Sequence, residues 1–137
     1  MCTGTVAHDD IPEYLAAMDV GLVLASGERD FHYSPLKLAE YFAAGLPVVA
    51  PRAGSLTTQL HDGVDALLVR AGDATELTAA LRRLRDDPTE RDRLGQAARS
   101  AATERWSWDR SGERLLAALE STPWESKPWE TGSPPAQ

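Results

Sequence analysis

Apolar residues along this chain fall into short unbroken runs separated by stretches with helical spacing, and that alternation predicts strands interleaved with helices. Met1–Val6 ends in Thr3-Gly4-Thr5-Val6, which reads as an opening strand, and the polar turn Ala7-His8-Asp9-Asp10 follows it. Asp10 is placed to cap a short helix with Pro12 near its start and an apolar stripe of Tyr14, Leu15 and Met18. Val20-Gly21-Leu22-Val23-Leu24 has no polar interruption and suits a buried parallel strand, and residues 25–33 form the loop after it. Leu36–Ala44 is built of good helix formers. Gly45 supplies the left-handed residue that ends such a helix, and Pro47–Ala50 is the next strand.

Beyond Ala50 the pattern repeats. A turn-rich Pro51–Ser55 leads to a short helical or irregular piece ending at Leu60, the turn His61-Asp62-Gly63 and a fourth strand at Ala66–Val69. Asp73 caps an amphipathic helix carrying Leu77, Ala80, Leu81 and Leu84, and Asp87 with Pro88 opens another that runs to about Thr103. Trp106 and Trp108 flank Ser107, the cap of a last helix whose expected inward face is Leu115, Leu116 and Leu119.

Strands alternating with helices, several strands apolar throughout, imply an α/β fold: a partial Rossmann-like three-layer domain with a short parallel sheet of four strands and C-terminal helices. The domain is expected over residues 1–120. Residues 121–137 hold four prolines and the near repeat Pro123-Trp124-Glu125 and Pro128-Trp129-Glu130, and are expected to be a disordered tail. Its tryptophans read either as a docking motif or as an unselected tail.

Composition narrows the function classes. A net charge of −7 argues against nucleic acid as a partner, and the Arg82–Arg93 cluster is interleaved with Asp86, Asp87, Glu90 and Asp92 as on a solvated helix face. One cysteine, Cys2, rules out an internal disulfide and fits a reducing, cytoplasmic setting. No segment resembles a signal peptide or approaches the roughly 18 apolar residues of a membrane span, which leaves only peripheral membrane contact.

The candidate chemistry centres on Ser34-Pro35-Leu36-Lys37-Leu38-Ala39-Glu40. Ser34 is a good N-cap and Pro35 suits the first helical position, so the unpaired amides after Ser34 and the positive dipole end face whatever precedes them. Lys37 adds a full charge in the first turn, and Glu40 follows one turn later. Two readings stand: a phosphate at the cap with a carboxylate accepting from a sugar hydroxyl, or a surface ion pair between Lys37 and Glu40.

This segment, with the following Gly45-Leu46-Pro47-Val48-Val49-Ala50, resembles the donor-nucleotide motif of the retaining glycosyltransferases of family 4, in which a Glu, seven intervening residues and a second Glu precede a Gly-x-Pro-Val-Val-Ala strand. Glu40 matches the second Glu; His32 stands where the first would be. Gly4-x-Val6, the Pro-x-Tyr-Leu helix, Asp19-Val20 and Asp62-Gly63 extend the resemblance over roughly residues 3 to 120, with Thr58 and Asp65-Ala66 as departures.

The resemblance implies the C-terminal, donor-binding domain of a two-domain GT-B-fold enzyme. It implies metal-independent transfer from a nucleotide-diphosphate sugar with no further cofactor, and a leaving diphosphate stabilised by cations and helix-start amides. By the same resemblance Lys37, Ser34, Pro35 and Leu36 hold phosphate, Glu40 binds ribose hydroxyls, the backbone near Val6 and Ala7 faces the base, and His32 approaches the donor sugar. The family's preceding strands, with an Arg and a Lys that brace the diphosphate, are not among these residues. The chain is therefore read as an N-terminally truncated domain, inactive alone or paired with a separate acceptor domain or subunit.

Two alternatives are a non-catalytic nucleotide-binding or protein-interaction module, and an epimerase of similar architecture. Metal chemistry by His8, His32 and His61 lacks a compact ligand spacing, and no nucleophile elbow or phosphate loop is present.

Overall fold

The computed structural model describes residues 4–24 and 35–121. A 3-10 turn at His8–Asp10 leads into α1 (Ile11–Ala16), followed by β1 (Gly21–Leu22), α2 (Pro35–Ala43), β2 (Val48–Pro51) and α3 (Leu56–Gln59). Next come β3 (Leu67–Val69), α4 (Ala74–Asp86), α5 (Pro88–Arg105) and α6 (Trp108–Ser121). The three strands form a parallel sheet in the order β1-β2-β3, with Gly21 opposite Val48 and Val49 opposite Leu67.

Alternation along β2 divides the core between the two faces of the sheet. Val48 and Ala50 join Leu38, Tyr41 and Phe42 of α2 and Ala98 and Ala101 of α5, while Val49 and Leu67 join Ala80 and Leu84 of α4. Helices therefore cover both faces, which is the expected three-layer α/β arrangement. On α2 the buried residues Leu38, Tyr41 and Phe42 recur at i, i+3 and i+4, leaving Lys37 and Glu40 on the outer surface.

The terminators act as their residue types dictate. Gly45 takes a φ of 73°, its N–H bonds the Phe42 carbonyl at 2.9 Å, and the Leu46 N–H reaches the Tyr41 carbonyl at 3.0 Å. These two bonds close α2 as a Schellman motif. Asp73 caps α4 by accepting from the Thr75 and Glu76 amides, and Asp87 caps α5 by accepting from Glu90. Ser107 accepts from the Arg110 amide at 3.2 Å, as a capping serine does.

Four expectations are corrected. Residues 4–7 form no strand, so the described sheet has three strands rather than four. Among the described residues no strand lies beside residues 4–7 to pair with them, and a strand is defined by its partner. β1 is shorter than the Val20–Leu24 run, and β2 begins one residue later than Pro47. Finally, Leu115, Leu116 and Leu119 are not an inward face: each is more than 60% exposed, and no residue of α6 is buried. The tail at 122–137 lies outside the described residues.

Candidate functional site

In a parallel α/β sheet each helix runs back against its strands, so the N-terminus of α2 lies at the carboxyl edge of the sheet, where such folds bind ligands. That edge also carries a groove of about 340 Å³, lined by Val23, Leu24, Pro51, Val69 and Leu77 and bounded by Asp73 at the start of α4. Its walls are mostly apolar. Helix starts and strand ends thus converge on one side of the molecule.

Of the residues singled out in the sequence, Leu36, Lys37 and Glu40 are brought together on the first turns of α2, all three exposed. The Lys37 ammonium lies 5.9 Å from the centre of the Tyr41 ring, a cation–π contact one turn along the helix. Among the described residues neither Lys37 nor Glu40 enters an ion pair, so the surface-pair reading of these two is not realised. Tyr41 itself is seated against Gly21, where an added Cβ would fall 2.7 Å from the Tyr41 ring. Only glycine at this position of β1 leaves room for the ring beneath Lys37.

Pro35 opens α2. His32 and Ser34 lie outside the described residues. Val6 is half-buried, and Ala7 is extended at φ −66° and ψ 148° with its carbonyl accepting from Asp10 at 3.1 Å. Both belong to the N-terminal segment, which reaches the core through Leu15. Among the described residues no three His, Cys, Asp or Glu side chains could together hold a metal ion, and no helix is long and apolar enough to cross a membrane.

Two polar clusters escaped the sequence. At the outer edge of β3, Asp62 accepts the Leu68 N–H at 2.8 Å while Arg52 donates to the Leu68 carbonyl at 3.2 Å and to Asp62 at 2.6 Å. The pair satisfies the edge groups that another strand would otherwise take. Burial pushes the Asp62 carboxyl up, but the Leu68 amide and Arg52 outweigh it and hold the group below its ordinary value. Farther along, buried Asp65 accepts the His61 N–H at 2.8 Å and pairs with Arg105, which also donates to the Gln59 carbonyl at 3.1 Å. Asp62 before Gly63 read as a turn and as part of the family resemblance, not as the cover of an edge; an acid six residues ahead of an edge residue was the available signal.

A family model for glycosyl transferases group 1 matches residues 1–87. The chain belongs to that family. It is 38% identical over 109 residues to an MMP alpha-(1->4)-mannosyltransferase of Mycolicibacterium hassiacum, covering 79% of this chain and 26% of the relative. It is likewise 38% identical over 107 residues to a D-inositol 3-phosphate glycosyltransferase of Thermomonospora curvata, covering 77% of this chain and 23% of the relative.

Among solved structures, the sucrose-phosphate synthase of Thermosynechococcus elongatus superposes with a TM-score of 0.71 at 26% identity, over 88% of this chain and 30% of that one. HepE of Anabaena, solved in complex with UDP and glucose, superposes with a TM-score of 0.72 at 24% identity, over 82% of this chain and 30% of that one. The fold is therefore that of part of a GT-B glycosyltransferase, and the chain spans about a quarter of the length of the curated relatives it matches.

Proposed function

We propose that this chain is the donor-binding portion of a retaining, metal-independent glycosyltransferase, holding a nucleotide-diphosphate sugar whose glycosyl group passes to an acceptor bound by other polypeptide. The observation that carries this reading is the outer face of α2: a helix start at the carboxyl edge of a parallel sheet, with Lys37 in its first turn and Glu40 one turn on, neither paired to the other. A diphosphate at that start gains from the amides and the helix dipole, and Lys37 adds charge. Glu40 is the acceptor for ribose hydroxyls. As the leaving diphosphate develops charge, the same donors stabilise it without metal. His32 and Ser34 complete the sugar and phosphate contacts in this reading, and the backbone at Val6 and Ala7 faces the base.

Residues 1–120 act as one donor domain, in a cytoplasmic setting, with the acceptor portion supplied by another domain or subunit. HepE in complex with UDP and glucose supports the substrate class through its shared fold. Titration of the purified chain with UDP, GDP, ADP and their sugars, followed by calorimetry, tests the reading. Binding of at least one is expected, and Glu40→Ala should weaken it more than Glu90→Ala does. If no nucleotide binds, or both variants bind as the parent does, the donor site is elsewhere.

A further inference from the structure

Helical geometry brings Tyr41 under Lys37. The two are four residues apart on α2, and a helical side chain leans toward the N-terminus over the turn before its own, so the Tyr41 ring covers the surface from which Lys37 rises. The ammonium stands over that ring, 5.9 Å from its centre. Lys37 is exposed, while Tyr41 is only 7% accessible. The ring is therefore fixed by the core and the cation is not.

What fixes the ring is β1. Gly21 is buried, its N–H donates to the Pro47 carbonyl at 2.9 Å, and it pairs with Val48 in the sheet, so its backbone is held in place. A Cβ built there would stand 2.7 Å from Cδ2 and 2.8 Å from Cγ of Tyr41, so the ring lies directly on the strand backbone. Strand, ring and ammonium form a stack in which only the last layer has rotamer freedom.

An aromatic support differs from an acidic one. A carboxylate would hold Lys37 but cancel its charge, while a ring attracts the cation through its quadrupole and leaves ammonium N–H donors for another acceptor. Among the described residues Lys37 has no carboxylate partner. A long side chain already ordered when its ligand arrives loses less rotamer freedom on binding. We propose that Tyr41 is the positioning residue of Lys37, holding its ammonium, still charged, in the first turn of α2 for the phosphate of a nucleoside diphosphate. This rests on the donor-binding reading above.

The chain has two lysines, Lys37 and Lys127, so Lys37→Met assigns the Lys37 ε-methylene signals in a carbon–proton correlation spectrum. In the ligand-free parent these protons should be displaced upfield by the ring current; Tyr41→Leu should abolish the displacement and Tyr41→Phe should keep it. In calorimetric titrations with UDP, GDP and ADP, Tyr41→Leu should weaken the bound nucleotide about threefold, as loss of an exposed cation–π contact implies. Tyr41→Phe should restore most of that affinity. In a Lys37→Met background Tyr41→Leu should add nothing, a result that a purely structural tyrosine would not give. An undisplaced Lys37 signal in the parent overturns the proposal, requires no core substitution, and leaves the donor reading intact. Equal weakening by Tyr41→Leu with and without Lys37 overturns it as well. A displaced signal with no nucleotide bound removes the donor reading, and with it the phosphate role given to Tyr41.

Discussion

A Cβ added to Gly95 would lie 2.2 Å from the carbonyl oxygen of Gly45, so α5 crosses the end of α2 with backbone against backbone. This contact fixes where α2 stops, and through a rigid helix it fixes where α2 starts. Gly95→Ala must push the helices apart, and the cost of such overpacking is about 2 kcal/mol or more. Gly112→Ala meets nothing within 4 Å and should instead add up to about 1 kcal/mol through helix propensity. Urea unfolding of both variants checks the contrast; equal effects would mean that the two helices have freedom to separate.

The sealed edge of β3 carries a pH dependence with a defined sign. The Asp62 carboxyl is held below its ordinary value, so the folded state favours the ionised form. Its contribution is complete above the unfolded carboxylate range near pH 4 and is lost as pH falls through the folded value. Asp62→Asn should therefore flatten the acid limb of stability measured between pH 7 and 3. The amide oxygen of the substituted side chain can still accept the Leu68 N–H, so the edge stays covered. Asp62→Ala uncovers it and should raise concentration-dependent association by strand pairing. A parent and Asp62→Asn variant with the same acid slope would remove Asp62 from the account.

Buried Asp65 ties the His61 turn to the end of α5 through Arg105, which lies 40 residues away in sequence. Asp65→Ala leaves Arg105 partly buried without its partner and the His61 amide unsatisfied. Removal of one member of such a pair costs about 3 kcal/mol. Amide exchange should quicken first in residues 59–66 and at the C-terminal turn of α5. Uniform loss of protection across the chain would show instead that these segments are not a separable unit.

What the sequence made legible was local chemistry. Gly45 ends α2 and Asp73 starts α4 because each acts on backbone groups within a few residues of itself. The Asp65–Arg105 pair was not legible, since nothing near Asp65 announces a cation that the fold returns from far along the chain. Thr5 and Val6 misled for a related reason: β-branched residues state a preference, but pairing requires a neighbour. On α6 the apolar period identified a face correctly and its direction incorrectly, because periodicity does not say what covers a face. At the candidate site, Lys37 and Glu40 were readable from helix spacing, whereas the seat that Gly21 leaves for Tyr41 required the register of β1.

Lys37 offers the sharpest separation between a binding cation and a surface charge. It is exposed, it lies over Tyr41, and among the described residues no carboxylate holds it, so it is available to a phosphate at the helix start. A charge-assisted hydrogen bond to that phosphate is worth about 1.5 to 3 kcal/mol, so Lys37→Ala should weaken UDP by roughly tenfold or more. Lys37→Arg should recover much of the loss, since charge and reach are kept. An exposed cation on α4, Arg82, provides the control, and Arg82→Ala should leave affinity unchanged. Salt distinguishes the direct contact from a general field: with the Debye length near roughly 10 Å at about 0.1 M, a contacting charge retains its effect while a distant one is screened. Calorimetric titrations of UDP at low and moderate salt should therefore keep Lys37→Ala weaker than the parent at both. If the difference disappears as salt rises, Lys37 steers the nucleotide from a distance and does not hold its phosphate.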